Sequence, residues 1–320
     1  MRFKLSPDDY YAPIWDFAKQ PDGKYTAWSL GNQPRLIFYN VNLFKEAGLP
    51  APPKEWTDQG WKWDDFLAIA QKLTVKDQRW GALVYDDTGF EQTFVVNNGE
   101  ADGLYSKDGK TFTLANPKGA AAIQWATDLT CKHGVQPERG LVSQPGASNL
   151  GNNLFVGGKV AMIFRTQGTI TYFRRNIKDF EWDVAPPPGK EAQKTEGSLI
   201  CFTITKPGKS PDNAWDLLKF MGGAEGSKIF AEQGAFIPAY KKSAELVKPG
   251  ASPPASYPAN IQLFAKAMEY NTNVNFTENT ENARNVYRQE FDKVFNCQES
   301  AQDVLNRVRK DVEEALSGKF

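Results

Sequence analysis

A single histidine, His133, and three scattered cysteines limit what this chain can catalyse. A Ser-His-Asp hydrolase would have to use His133, and no G-x-S-x-G elbow is present. Catalytic zinc sets built on two or three histidines cannot be assembled. Cys131, Cys201 and Cys297 form no C-x-x-C, which excludes a thioredoxin motif or a structural zinc site. Cys201 lies in the apolar run 199–205 and reads as a buried core thiol. The remaining chemistry is that of planar polar side chains placed where apolar runs stop. Asn32 and Gln33 separate two such runs, Asp86 and Asp87 follow WGALVY, and Arg165 and Gln167 follow VAMIF. Groups of this kind hydrogen-bond a polar ligand through fixed donors and acceptors. Each also has a plainer reading: Asn32 and Gln33 as turn residues, the two aspartates as solvated carboxylates, Arg165 as one half of an ion pair.

The elements that must position them follow from pattern. Residues 25–30 and 35–39 read as two strands broken by the turn formers Gly31-Asn32-Gln33-Pro34. Asn40 and Gly48 stand at the N-cap and C′ positions of a short helix. Residues 63–73 keep Phe66, Ile69, Ala70 and Leu73 at helical spacing behind acids in the first turn. Asn116-Pro117 opens a helix with Pro at its first position, and His133 reads as a surface residue at its end. Residues 134–153, rich in Gly, Ser and Asn, read as a loop. The runs 80–85, 160–164 and 199–205 read as buried strands, and 210–221 as a helix. Residues 248–260 form a Pro-rich connector, and a last helix starts near Ser300 with Asp303 completing a capping box. Short apolar strands alternating with capped helices indicate an α/β protein with mainly parallel sheets, whose ligands sit beyond the carboxyl ends of strands.

The chain has 320 residues, a length that suggests about two domains. Its 38 basic and 38 acidic residues balance, which argues against a nucleic-acid binder or a polybasic membrane-surface protein. Nine Trp, 11 Tyr and 21 Phe in a chain this polar exclude disorder and leave rings over for a ligand. The start, MRFKLSPDDYYAP, shows no apolar signal-peptide core.

Four segments, in order, carry a resemblance: DGKYTAWSLGNQPRLIFYNVNLFKEAGLPAPPKEW, NNLFVGGKVAMIF, EGSLICFTITKPGKSPDNAWDLLKFM and EQGAFIPAYKKSAE. Together they resemble the solute-binding proteins of bacterial ABC transporters, carbohydrate class, the family of maltose-binding protein. The resemblance implies a two-lobe periplasmic-binding-protein-like α/β fold of type II, with mixed, mainly parallel sheets. It implies a first lobe from residues 1–32 and 200–255, a second from 35–195 and 260–320, and hinge crossings near 31–35, 198 and 254–258. It further implies non-catalytic binding of a sugar or oligosaccharide in the interlobe cleft, without cofactor or metal. Delivery would be to a membrane permease, from a periplasmic or extracellular location. Sugars suit the composition, because their flat apolar faces stack on rings and their hydroxyls pair with planar polar groups.

Carried over by position, the ligand contacts are Asn32, Gln33, Asp87, Phe90, Arg165, Gln167, Glu196, Ser198, Phe236 and Arg284, and the ring-rich stretch around Trp28 is the candidate for a cleft stack. Two places where the family often has a tryptophan hold Thr166-Gln167-Gly168 and Glu196-Gly197-Ser198 instead. The family also opens with about a hundred residues before its DGK segment, which here arrives at Asp22. The first lobe is therefore expected to be incomplete, with an unpaired sheet edge and apolar helix faces that favour self-association or a covering partner. Two rival readings are a glycoside hydrolase, which needs two carboxylates flanking the scissile bond, and a scaffold module without a small ligand.

Overall fold

The computed structural model describes residues 6–19, 23–57, 60–143, 149–206, 208–234 and 236–319. Its organising element is one unbroken strand, β1, Trp28–Asn40. The expected turn at 31–34 is not there. Asn32 is paired on both sides, with Leu199 and with Ile237, so its backbone groups are already satisfied and a turn would gain nothing. Pro34 stands where β1 changes partners, a position that tolerates a missing N–H. Gly31 is required by close approach, since a Cβ there would overlap the Phe236 ring and the Ile237 carbonyl oxygen.

β1 divides its partners between two lobes. Residues up to Pro34 pair with β5 (Thr195–Phe202) and β6 (Ile237–Pro238). From Arg35 onward the partners are β3 (Val160–Thr166) and β4 (Trp182–Ala185). β2 (Trp80–Leu83) runs parallel to β3, and β7 (Asn271–Thr272) parallel to β5. The sheet is mixed, as expected, but β1 pairs antiparallel with β3, β4, β5 and β6 alike, because strands return to it from both lobes.

The larger lobe closes around rings and aliphatic chains. The helix Trp63–Leu73 forms where its spacing predicts and buries Trp63, Phe66, Ala70 and Leu73. Phe94 meets Trp63, Trp125 and Phe164 at ring-centroid distances of 6.2, 5.1 and 5.4 Å. Asn40 caps its helix by accepting from the Leu43 N–H, and Ser300 accepts from the Asp303 N–H while donating to the Asp303 carboxylate. The final helices, Thr280–Phe295 and Ala301–Leu316, return to pack on the helix Pro117–Cys131. A disulfide joins Cys131 to Cys297 across 166 positions, a pairing the spacing of the cysteines did not indicate. His133 is exposed just past that helix.

Three further expectations are corrected. The segment 134–153 holds helical turns at Arg139–Val142 and Leu150–Val156; its residues 144–148 lie outside the described set, as does Asp22. The strand expected at 199–205 is displaced to Thr195–Phe202, and its end is exposed rather than buried. Cys201 sits on that end as an exposed free thiol, because the described residues leave this end of β5 uncovered.

The smaller lobe gathers Tyr10, Trp15, Trp28 and Trp215 into a ring cluster, with the Tyr10 hydroxyl donating to the Gly222 carbonyl at 2.9 Å. Its helices Pro211–Gly222 and Ala224–Gln233 bury few large side chains of their own, Leu218 in the first and none in the second. Trp215, Leu217, Ile229 and Phe202 remain 41–57% exposed.

Candidate functional site at the strand crossing

Of the thirteen residues of β1, twelve are buried and one is not: Gln33, at the crossing. Ser198, half-buried, stands opposite it in the β1–β5 ladder. The Gln33 carboxamide lies against the turn after β3, where a Cβ on Gly168 would come within 2.9 Å of Nε2. The Gln167 N–H donates to the Pro34 carbonyl at 3.0 Å and ties the same turn to the crossing. The Gln167 side chain is fully buried, and among the described residues neither of its polar atoms has a hydrogen-bond partner. An orphaned amide of this kind is costly and is relieved by a hydroxyl or a water.

The carboxyl ends of the parallel strands β2 and β3 bring charges to the same region. Arg165 donates through Nη2 to Asp86, through Nε to Asn152 at 2.7 Å and through Nη1 to the Phe164 carbonyl at 2.9 Å. A Cβ on Gly151 would overlap this ion pair, so the chain packs directly on it. Asp86, Arg165, Asn149, Asn152 and Ser143 line a polar cavity of about 310 Å³.

Beside it lies a second, deeper cluster. Arg35 donates through Nε to Asp87 and through Nη1 to Glu196. Burial works against the Asp87 charge, but Arg35, Arg165 and the Gly89 N–H outweigh it and hold its carboxyl below the ordinary range. Burial, with the neighbouring Asp87 charge, lifts Glu196 above its ordinary value despite Arg35 and Arg284. Burial likewise raises Asp86. Arg284 also stacks 5.5 Å from the Phe276 ring centroid, and its Nε is buried without an acceptor.

The structure thus gathers Gln33, Arg165, Gln167 and Ser198 around the crossing, with Asp87 and Glu196 held beside them by Arg35 and with Arg284 acting on Glu196 through its charge. Asn32 is fully buried, donating to the Asn271 side chain at 3.1 Å, with its own amide oxygen unpartnered among the described residues. The three candidate rings are elsewhere. Trp28 packs in the smaller lobe's cluster, Phe236 stacks on Phe230 there, and Phe90 packs on Phe295 inside the larger lobe. Each is under 8% exposed, because the core needs its apolar area. Sequence reading missed Asp86 as a partner of Arg165, and it missed Arg35. The signal for Arg35 was a lone cation opening the run LIFY, which must find a counter-charge if it is buried.

The arrangement offers hydrogen-bond donors and acceptors, and its carboxylates are engaged with arginines. Among the described residues no group of His, Cys, Asp and Glu is arranged to hold a metal ion.

Residues 3–264 match the family model described as bacterial extracellular solute-binding protein. A binding protein of Brucella abortus is 23% identical over 233 residues, which are 70% of this chain and 53% of the relative. The chain therefore spans about half the length of the curated relatives it matches most fully. Among solved structures, an ABC substrate-binding protein from Listeria monocytogenes, in complex with cycloalternan, superposes with a TM-score of 0.84. It is 21% identical, with 98% of this chain and 77% of that one covered. The GacH receptor of Streptomyces glaucescens, solved unliganded and with acarbose, gives 0.78 at 18% identity, with 99% and 77% covered. At these identities the likeness shows the fold.

Proposed function

The chain belongs to the bacterial extracellular solute-binding proteins, and from that premise we propose that it binds a sugar or oligosaccharide without transforming it, for delivery to an ABC-transporter permease. The observation that carries this reading is Gln33. It is the one open residue of a strand otherwise buried along its whole length, and it stands where that strand passes between the lobes. A ligand there meets amides and charge-paired side chains, donors and acceptors suited to hydroxyl groups. Neighbours of the same fold bind cycloalternan and acarbose, which supports an oligosaccharide as the ligand. Closure of the lobes on the ligand would present the occupied form to the permease.

The extracytoplasmic location of the family agrees with the Cys131–Cys297 disulfide, since such bonds persist in oxidising compartments. No helix among the described residues is long and apolar enough to cross a membrane.

A thermal-shift screen over mono- and oligosaccharides tests the reading. At least one sugar should raise the melting temperature, because a ligand that binds only the folded state stabilises it by mass action. Gln33→Ala should weaken that sugar's binding about tenfold while leaving the unliganded melting temperature within a few degrees. Hydrolysis products from any glycan, or a panel with no shift, would overturn it.

A further inference from the structure

Three separate pieces of chain meet on the Arg35 guanidinium. Arg35 itself is the first β1 residue to pair with the larger lobe, opposite Thr166. Asp87 comes from the loop that leaves β2, and Glu196 from the crossing strand β5. The other contacts close a ring. The Gly89 N–H donates to Asp87 Oδ1 at 2.9 Å. The Glu196 N–H donates to Thr93 Oγ1 at 2.9 Å, in the helix that continues from the loop. The Thr195 hydroxyl donates to the Arg35 carbonyl at 2.5 Å, which returns the ring to β1. A Cβ on Gly89 would overlap Arg35 Nε and Cζ and Glu196 Oε2, so the loop backbone rests directly on the fork. The side chain of Arg35 is 5% exposed, and those of Asp87 and Glu196 are 9% and 13%. Water therefore screens these pairs little.

We propose that Arg35 is a positioning residue that makes the 86–89 loop move with the two crossing strands, so that a ligand engaging the loop draws the lobes with it. The assignment rests on the reading of the chain as a binding protein. The chemistry requires arginine. A planar fork can hold two carboxylates on different elements at once, whereas a lysine ammonium on a flexible stem fixes neither direction. One cation faces two acids here, and Arg165 toward Asp87 and Arg284 toward Glu196 offset the excess negative charge. The pieces being tied are not neighbours in sequence, so local structure alone would not keep them in step.

Hydrogen–deuterium exchange on the ligand-free chain, with thermal unfolding alongside, tests this in Arg35→Lys and in Gly89→Ala. In Arg35→Lys the amides of 87–93 and 195–198 should lose about tenfold in protection, while β3 keeps its own and the melting temperature moves by only a few degrees. Gly89→Ala, which lifts the loop from the guanidinium without changing charge, should give the same local loss. A sugar found by thermal shift should bind both variants about tenfold more weakly. Unchanged protection at 87–93 in either variant overturns the proposal, and so does an equal loss over the whole chain. If Arg35→Lys does not fold, Gly89→Ala decides alone. If no sugar binds the wild type, the functional reading fails while the exchange pattern still decides the role of Arg35.

Discussion

The two lobes are built from the same kinds of segment and differ in what lies over them. In the larger lobe, the helix Trp63–Leu73 turns its apolar positions onto β2 and β3 and buries them. In the smaller lobe, the helix Pro211–Gly222 carries an equally apolar set, yet Leu218 is its one buried large side chain, while Trp215 and Leu217 are 45% and 57% exposed. Periodicity marks which face of a helix is apolar; burial needs a partner for that face. The larger lobe has its partners within the described residues. Among the described residues, the smaller lobe leaves a groove lined by Trp15, Tyr25, Trp28, Phe202 and Trp215 uncovered.

Substitutions should reproduce this contrast, the largest effect first. Phe94→Ala, in the fully buried ring cluster of the larger lobe, should cost about 3–5 kcal/mol of stability, read from urea unfolding. A loss near zero would mean the larger lobe is no better closed than the smaller one. Removing the disulfide with Cys131→Ser and Cys297→Ser should cost about 2–4 kcal/mol, since the bond closes a long loop within the larger lobe. Cys201→Ser, on the open strand of the smaller lobe, is the control that should leave unfolding unchanged.

The arginine at the crossing gives an intermediate case, because one of its carboxylates comes from the loop after β2 and the other from the crossing strand β5. Asp87 is held below its ordinary range, so its stabilisation is full above pH 3.8 and is lost as pH falls through its lower folded value. Glu196 is shifted the other way. Its ionisation in the folded state costs stability as pH rises through the raised value, and acidification toward 4.5 removes that cost. Asp87→Asn should therefore weaken the protein at pH 7. Glu196→Gln should strengthen it there, with an advantage that shrinks toward pH 5. Unfolding curves at the two pH values settle the signs, and equal behaviour of the two variants would contradict the geometry. The smallest effect is expected at Leu217→Ser, within about 0.5 kcal/mol, accompanied by weaker binding of a hydrophobic dye to the chain. Unaltered dye binding would place the open apolar surface elsewhere.

Much of the larger lobe was legible because its signals are local. Asn40, Ser300 and the pattern of 63–73 specify caps and faces within a few residues. β1 was misread because Gly31 and Pro34 are turn formers by composition, and only the partners on both sides keep them extended. Those partners lie far along the chain. The Cys131–Cys297 bond escaped for the same reason. At the site, the rule that polar residues gather at strand ends picked out Gln33, Arg165 and Gln167, which the structure brings near the crossing. The ring-rich stretch added Trp28 and the resemblance added Phe90 and Phe236, which pack against other rings. A ring's type does not tell a stacking platform from a core residue; its surroundings do.

The length of β1 has a consequence for the order of synthesis. Its β5 contact at Thr195 lies 160 positions beyond Arg35. The helices Thr280–Phe295 and Ala301–Leu316, which pack into the larger lobe, lie further along still. Neither lobe can close before these distant segments have emerged, since non-local pairing must wait for its partner. The strand that joins the lobes therefore has to stay unpaired for longer than the locally capped helices around it, and the loop-closure entropy of its ladders sets the slow part of folding.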